Sequence, residues 1–145
     1  MKELEYPFDS SFLLQKRRKL KKALLADGSA RMEKRIAVLG GSTTNDIVSM
    51  LELFLLNCGI QPVFYQSEYA QYWQDAMFDA PELAAFQPDL IFIHTTSRNI
   101  TEAPLPLSAS EQEVQDALER QYTHFTQMWE HLAATYHLSL IHISE

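Results

Sequence analysis

Two short polar segments hold the residues best suited to chemistry. The first is Gly40-Gly41-Ser42-Thr43-Thr44-Asn45 and the second is His94-Thr95-Thr96-Ser97-Arg98-Asn99. Each follows an apolar run and so reads as the carboxyl end of a buried parallel strand. In an open α/β sheet such ends meet at the ligand-binding edge. A serine at a strand-to-helix turn can act as a nucleophile, with turn N–H groups and an asparagine amide as oxyanion donors. Ser42 is therefore the candidate nucleophile and Asn99 the candidate oxyanion donor, facing each other if their strands are neighbours. Gly41, Thr43 and Ser97 are the accompanying substrate-binding candidates, and Arg98 can hold a phosphate or carboxylate. The bland alternative is that Ser42, Thr43 or Thr44 only caps the helix that follows.

Other chemical signatures are missing. The chain has no GxGxxG and no GxxxxGK[ST], and no paired Cys/His spacing suits zinc. No metal and no cofactor are expected in it. Of the five histidines, His94 ends an apolar run and is a core residue or a site wall; His124 and His131 read as structural, partly exposed helix residues. His137 and His142 complete the set. Cys58 is the single cysteine and reads as a small buried hydrophobe.

The elements that must position these residues alternate in type. A helix over 9–27 starts at Asp9, Ser10 or Ser11, stops at Gly28, and carries Leu13, Leu20 and Leu24 on one face. A strand covers 35–39. A helix covers 44–57, with Ile47, Leu51, Phe54 and Leu55 at core spacing and Gly59 past its end. A second strand covers 60–65. The aromatic, polar stretch after it reads as loop and short helix, and Pro81 opens another short helix over 81–86. Residues 89–95 form the next strand. Ser108 with Glu111, or Ser110 with Glu113, makes a capping box for a long helix over 110–136. Its apolar stripe is Val114, Leu118, Tyr122 (or Gln121), Phe125, Trp129, Leu132 and Tyr136. Residues 138–144 read as a last strand. Strands alternating with helices imply a mostly parallel sheet covered on both faces, an α/β three-layer sandwich.

The 145-residue length fits one domain, with 46% hydrophobic residues for its core. Charge divides the chain. Residues 1–35 hold ten of the twelve Lys+Arg and five of the nineteen Asp+Glu, a net of +5, so the remainder carries −12. The acidic body argues against nucleic acid. The basic helix is a docking surface for an acidic partner or simply a solvated face. No run of eighteen apolar residues exists and the N-terminus lacks a signal-peptide core, so no membrane span and a cytoplasmic location are expected.

Three segments carry a family resemblance: LEYPFDSSFLLQKRRKLKKALL, KRIAVLGGSTTNDIVSMLELFLLNCGI and FYQSEYAQYWQDAMFDAPELAAFQPDLIFIHTTSRNI. Together they resemble the N-terminal region of FkbH-like proteins of HAD (haloacid dehalogenase-like) subfamily IIIC, over about residues 3–137. The resemblance implies an SGNH-hydrolase-like domain with flavodoxin-like winding at 31–145, preceded by a basic helical extension at 1–30. In that family a HAD domain follows, with Mg²⁺ and phosphoryl chemistry, and members transfer a glyceryl unit to an acyl carrier protein in polyketide or related biosynthesis. Ser42 then matches the first-block serine and Asn99 the third-block asparagine. Lys16, Arg17, Lys19 and Lys22 are the expected carrier-docking cations.

Two departures bear on activity. No Asp-x-x-His is present to supply a base, and the second-block glycine has no counterpart, residues 69–71 standing where it belongs. The HAD motif is absent, so the expectation is a truncated N-terminal fragment. The tail LSLIHISE resembles translated adapter sequence from about Leu138. The functional expectation is a domain supporting acyl or glyceryl transfer to a carrier protein, without complete catalytic machinery. The alternatives are a serine esterase or acyltransferase using Ser42, with a histidine from elsewhere, and an inactive structural fragment.

Overall fold

A nine-residue strand, β1 (Met32–Gly40), forms the axis of the molecule. The computed structural model describes residues 1–139. Ile36, Ala37, Val38 and Leu39 are all buried, although successive strand side chains point to opposite faces. Both faces of the sheet must therefore be covered, as a continuous apolar run requires.

The chain runs through α1 (Ser10–Ala26), β1, α2 (Asn45–Asn57), β2 (Ile60–Gln66), α3 (Tyr72–Met77), α4 (Pro81–Phe86), β3 (Leu90–His94) and α5 (Glu111–Tyr136). The strands form an all-parallel sheet in the order β2-β1-β3. The fold class is α/β, as expected. On one face Ile36 and Val38 meet Val48, Leu55, Phe64 and Phe92. On the other, Ala37 and Leu39 meet Tyr72, Ala76, Leu83, Met128 and Leu132 from α3, α4 and α5. The winding direction reverses at β1, which makes its carboxyl end the switch point of the sheet.

Capping chemistry sets the helix ends. The Asp9 carboxylate accepts from the Phe12 N–H at 3.0 Å and starts α1. Ser110 and Glu113 exchange reciprocal bonds and start α5. Gly28 (φ +69°) and Gly59 (φ +79°) take left-handed backbone just past α1 and α2. α1 lays Leu13, Leu20 and Leu24 against Leu53 and Leu56 of α2, so the basic helix shares a core with the rest of the chain.

Several expectations need correction. Val48, Leu53 and Leu56 are the buried residues of α2, while Ile47, Leu51, Phe54 and Leu55 are only half-buried. The helix is apolar nearly all round because it lies between α1 and the sheet, so a one-sided stripe misjudges its depth. Cys58 is exposed: as the C-cap of α2 it stands where the helix releases the chain to solvent. The α5 stripe is half covered, since Val114, Leu118 and Tyr122 face outward. Leu138 and Ser139 belong to no regular element, and the remainder of the strand expected over 138–144, with His142, lies outside the described residues. No described helix is long and apolar enough to cross a membrane.

Candidate functional site

The ladder between β1 and β3 ends at Gly40 opposite His94. The Gly41 N–H extends it by one bond, donating to the His94 carbonyl at 2.9 Å. Beyond β3 the chain makes a 3-10 turn over Ser97–Asn99, capped by Thr96. The Asn99 Oδ1 accepts from the Thr96 N–H at 2.9 Å and from the Thr96 hydroxyl at 3.4 Å. Its Nδ2 donates to the Gly41 carbonyl at 3.2 Å. One amide side chain thus ties the β3 loop to the β1 turn. The approach is so close that a Cβ at Gly41 would overlap the whole Asn99 amide. Glycine is required here for lack of room rather than for its dihedral freedom.

The end of β2 joins the same junction. The Gly40 N–H donates to the Ser67 hydroxyl at 2.9 Å, and the Ser67 N–H donates to the Val38 carbonyl at 3.1 Å. The buried Thr44 hydroxyl donates to Gln66 Oε1 at 3.4 Å. A Cβ at Gly40 would lie 2.5 Å from Thr44 Cγ2 and 2.8 Å from the Ser42 carbonyl oxygen. All three strand ends are therefore stitched around the two glycines. Gln66 and Ser67 were not singled out from the sequence, although they follow an apolar strand as Ser42 and Thr95 do.

Ser42 is half-buried at this edge. Among the described residues its hydroxyl has no hydrogen-bond partner, so no histidine or carboxylate is placed as its base. It does not cap α2 either: the N-cap is Thr44, and no side chain caps the first turn. Among the described residues the opening N–H groups of α2 have no side-chain acceptor. Asp46, in that first turn, adds a negative charge that opposes an anion there. Thr43, Ser97 and Arg98 are exposed, and Arg98 forms no ion pair among the described residues. Asn99 has one N–H committed to Gly41, leaving one for a ligand. Ala70, within the 69–71 stretch, adopts φ +60°, backbone that glycine takes without steric cost.

The remaining expected residues are placed as follows. His94 is half-buried and contributes its carbonyl to the junction, and His131 is exposed. His124 stacks on Trp73, with ring centroids 3.7 Å apart. Burial holds the His124 pKa below the usual imidazole range. On α1, Lys16, Lys19 and Lys22 are exposed. Arg17 is half-buried, donating to the Leu14 carbonyl at 2.7 Å and standing 4.0 Å from Asp46. Among the described residues no group of three or more His, Cys, Asp or Glu is arranged to hold a metal ion.

No family profile and no curated protein matches the chain. A solved structure does. It is the N-terminal part of the protein BF1531 from Bacteroides fragilis, containing a phosphatase domain complexed with Mg. The two chains are 19% identical, with a TM-score of 0.57 over 77% of this chain. This chain spans 29% of that one, and the likeness is one of fold.

Proposed function

We propose that this chain is the N-terminal, SGNH-like α/β module of a larger HAD-type protein, and that it binds without turning substrate over. In this reading it supports acyl or glyceryl transfer to an acyl carrier protein. The crevice between the Ser42 turn and the Arg98 loop holds the acyl-phosphopantetheine arm. The observation that carries the reading is the Asn99–Gly41 junction with Ser42 beside it and, among the described residues, no base on Ser42. A serine hydroxyl without a base is a poor nucleophile at neutral pH. The exposed Arg98 guanidinium suits a phosphate-bearing arm. Lys16, Arg17, Lys19 and Lys22 give an acidic carrier a surface of opposite sign. Magnesium and phosphoryl chemistry belong to the companion domain.

Titration with a phosphopantetheinylated acyl carrier protein tests this. Arg98→Ala should weaken binding about tenfold, near 1.4 kcal/mol. Gly41→Ala should cost about 1–3 kcal/mol of stability, because the added methyl must displace the Asn99 amide, and should weaken binding as well. Ser42→Ala should leave binding intact and cost less than about 0.5 kcal/mol, since no cap bond is lost. Absence of binding at low salt would end the proposal. One observation favours a serine esterase or acyltransferase instead: the Ser42 hydroxyl stands at the sheet edge uncommitted to any cap. Hydrolysis of an activated short-chain ester, abolished by Ser42→Ala, would replace the binding reading with that one.

A further inference from the structure

The two ends of the chain carry helices of opposite character, both incompletely covered. α1 contains six cations and no acid. Arg17 and Lys21 are turned toward α2, Lys21 pairing with Glu52 at 2.8 Å. Lys16 and Lys19 are exposed, form no ion pair among the described residues, and share a face with the exposed Phe12 at i, i+4 and i+7. Tyr6 (91% exposed) and Phe8 (45%) stand exposed just before that helix, Phe8 packing on Phe54 of α2.

The complementary surface is on the chain itself. The first three turns of α5 hold Glu111, Glu113, Asp116 and Glu119 against one base, Arg120, which is committed to Glu102 at 2.9 Å. Leu118 (61% exposed) and Tyr122 (65%) share an outward face with Glu111, with Glu119 at its edge. Each helix therefore presents exposed apolar side chains flanked by charge, with the sign reversed between them. That is the pattern by which paired helices choose partners.

α1 packs on α2 at one face of the sheet and α5 packs on the other. The two surfaces cannot meet within one molecule. We infer that α1 of one copy docks against the first turns of α5 in a second copy, Phe12 meeting Leu118 and Tyr122 while Lys16 and Lys19 face Glu111 and Glu119. Because the surfaces lie on opposite faces, the contact is head-to-tail and can repeat from copy to copy. A bilayer or a nucleic acid suits α1 less well. Each is an extended anionic surface that would also confront the acidic body, whereas an acidic helix touches α1 alone. The inference does not rest on the carrier reading; both use Lys16 and Lys19, so a bound carrier would compete with a second copy for α1.

Sedimentation velocity over a concentration series at low salt tests it. Association should grow with concentration, and salt of about 0.5 M, where screening acts within several ångströms, should weaken it at least about tenfold. Reversing α1 (Lys16→Glu with Lys19→Glu) or α5 (Glu111→Lys with Glu119→Lys) should abolish self-association, with folding checked by circular dichroism. An equimolar mixture of the two reversed proteins should regain it, because each then meets an opposite charge on the other. Tyr122→Ala, which changes no charge, should weaken association on its own. A chain that stays monomeric at low salt, association that survives both reversals, or a mixture that fails to recover overturns the inference. So does a monomeric chain whose α1 instead binds anionic lipid vesicles, which assigns that surface to a bilayer.

Discussion

The first and last turns of α5 repeat one apolar spacing in opposite surroundings. Toward the end, Met128 and Leu132 are buried, and Phe125, Trp129 and Tyr136 pack around them against Ala37, Leu39 and Tyr72. Toward the start, Val114, Leu118 and Tyr122 face outward. The difference lies in what stands opposite. β1 and α3 supply apolar partners to the later turns. The earlier turns are held by polar bonds to one loop: Gln121 Oε1 accepts from the Thr101 N–H at 2.8 Å and the Glu102 N–H at 3.3 Å, and Arg120 grips Glu102 with two bonds. The same sequence pattern thus serves as core in one half and as surface in the other. Periodicity says which side chains share a face, not what the face meets.

The comparison breaks most readily at Met128, which is fully buried. Met128→Ala should cost about 2–5 kcal/mol in urea unfolding. A loss below about 1 kcal/mol would mean that the late turns are no better packed than the early ones. A smaller effect comes from His124, at the boundary between the halves. Among the described residues its Nε2 is buried without a partner, and its pKa is lowered by burial. The folded state then binds a proton less readily than the unfolded one. Stability is full above the ordinary imidazole value of about 6.5 and falls as pH drops below it. His124→Phe should flatten that decline, measured as unfolding midpoints between about pH 5 and 7; a decline left unchanged would put its source elsewhere. The smallest change sharpens the contrast: Leu118→Ala should move stability by less than about 0.5 kcal/mol at dilute protein.

Much of the fold was legible because the chain is clearly punctuated. Gly59, Pro81 and the Ser110–Glu113 box fix element boundaries to within a residue or two, and the apolar runs ending at Leu39 and His94 mark adjacent strands. α3 was less distinct, since six residues among aromatic and polar neighbours give too few repeats for a period to show. The depth of α2 was misjudged because its burial depends on α1, an element some thirty residues upstream. At the candidate site the sequence indicates which loops meet, given that β1 and β3 are adjacent. It does not indicate that Asn99 spends one amide N–H on the Gly41 carbonyl, because a contact across 58 positions depends on strand register and loop geometry together. The role of Ser67 was hidden for the same reason.

The absence of space at Gly41 has a consequence for how this edge of the protein can change. Any side chain at 41 must push the Asn99 amide aside, and that amide also pins the Thr96 turn carrying Ser97 and Arg98. The two loops therefore cannot drift independently. The spacing of the two loops is set by a pair of positions that trade bulk against each other, so a larger residue at 41 calls for a smaller one at 99.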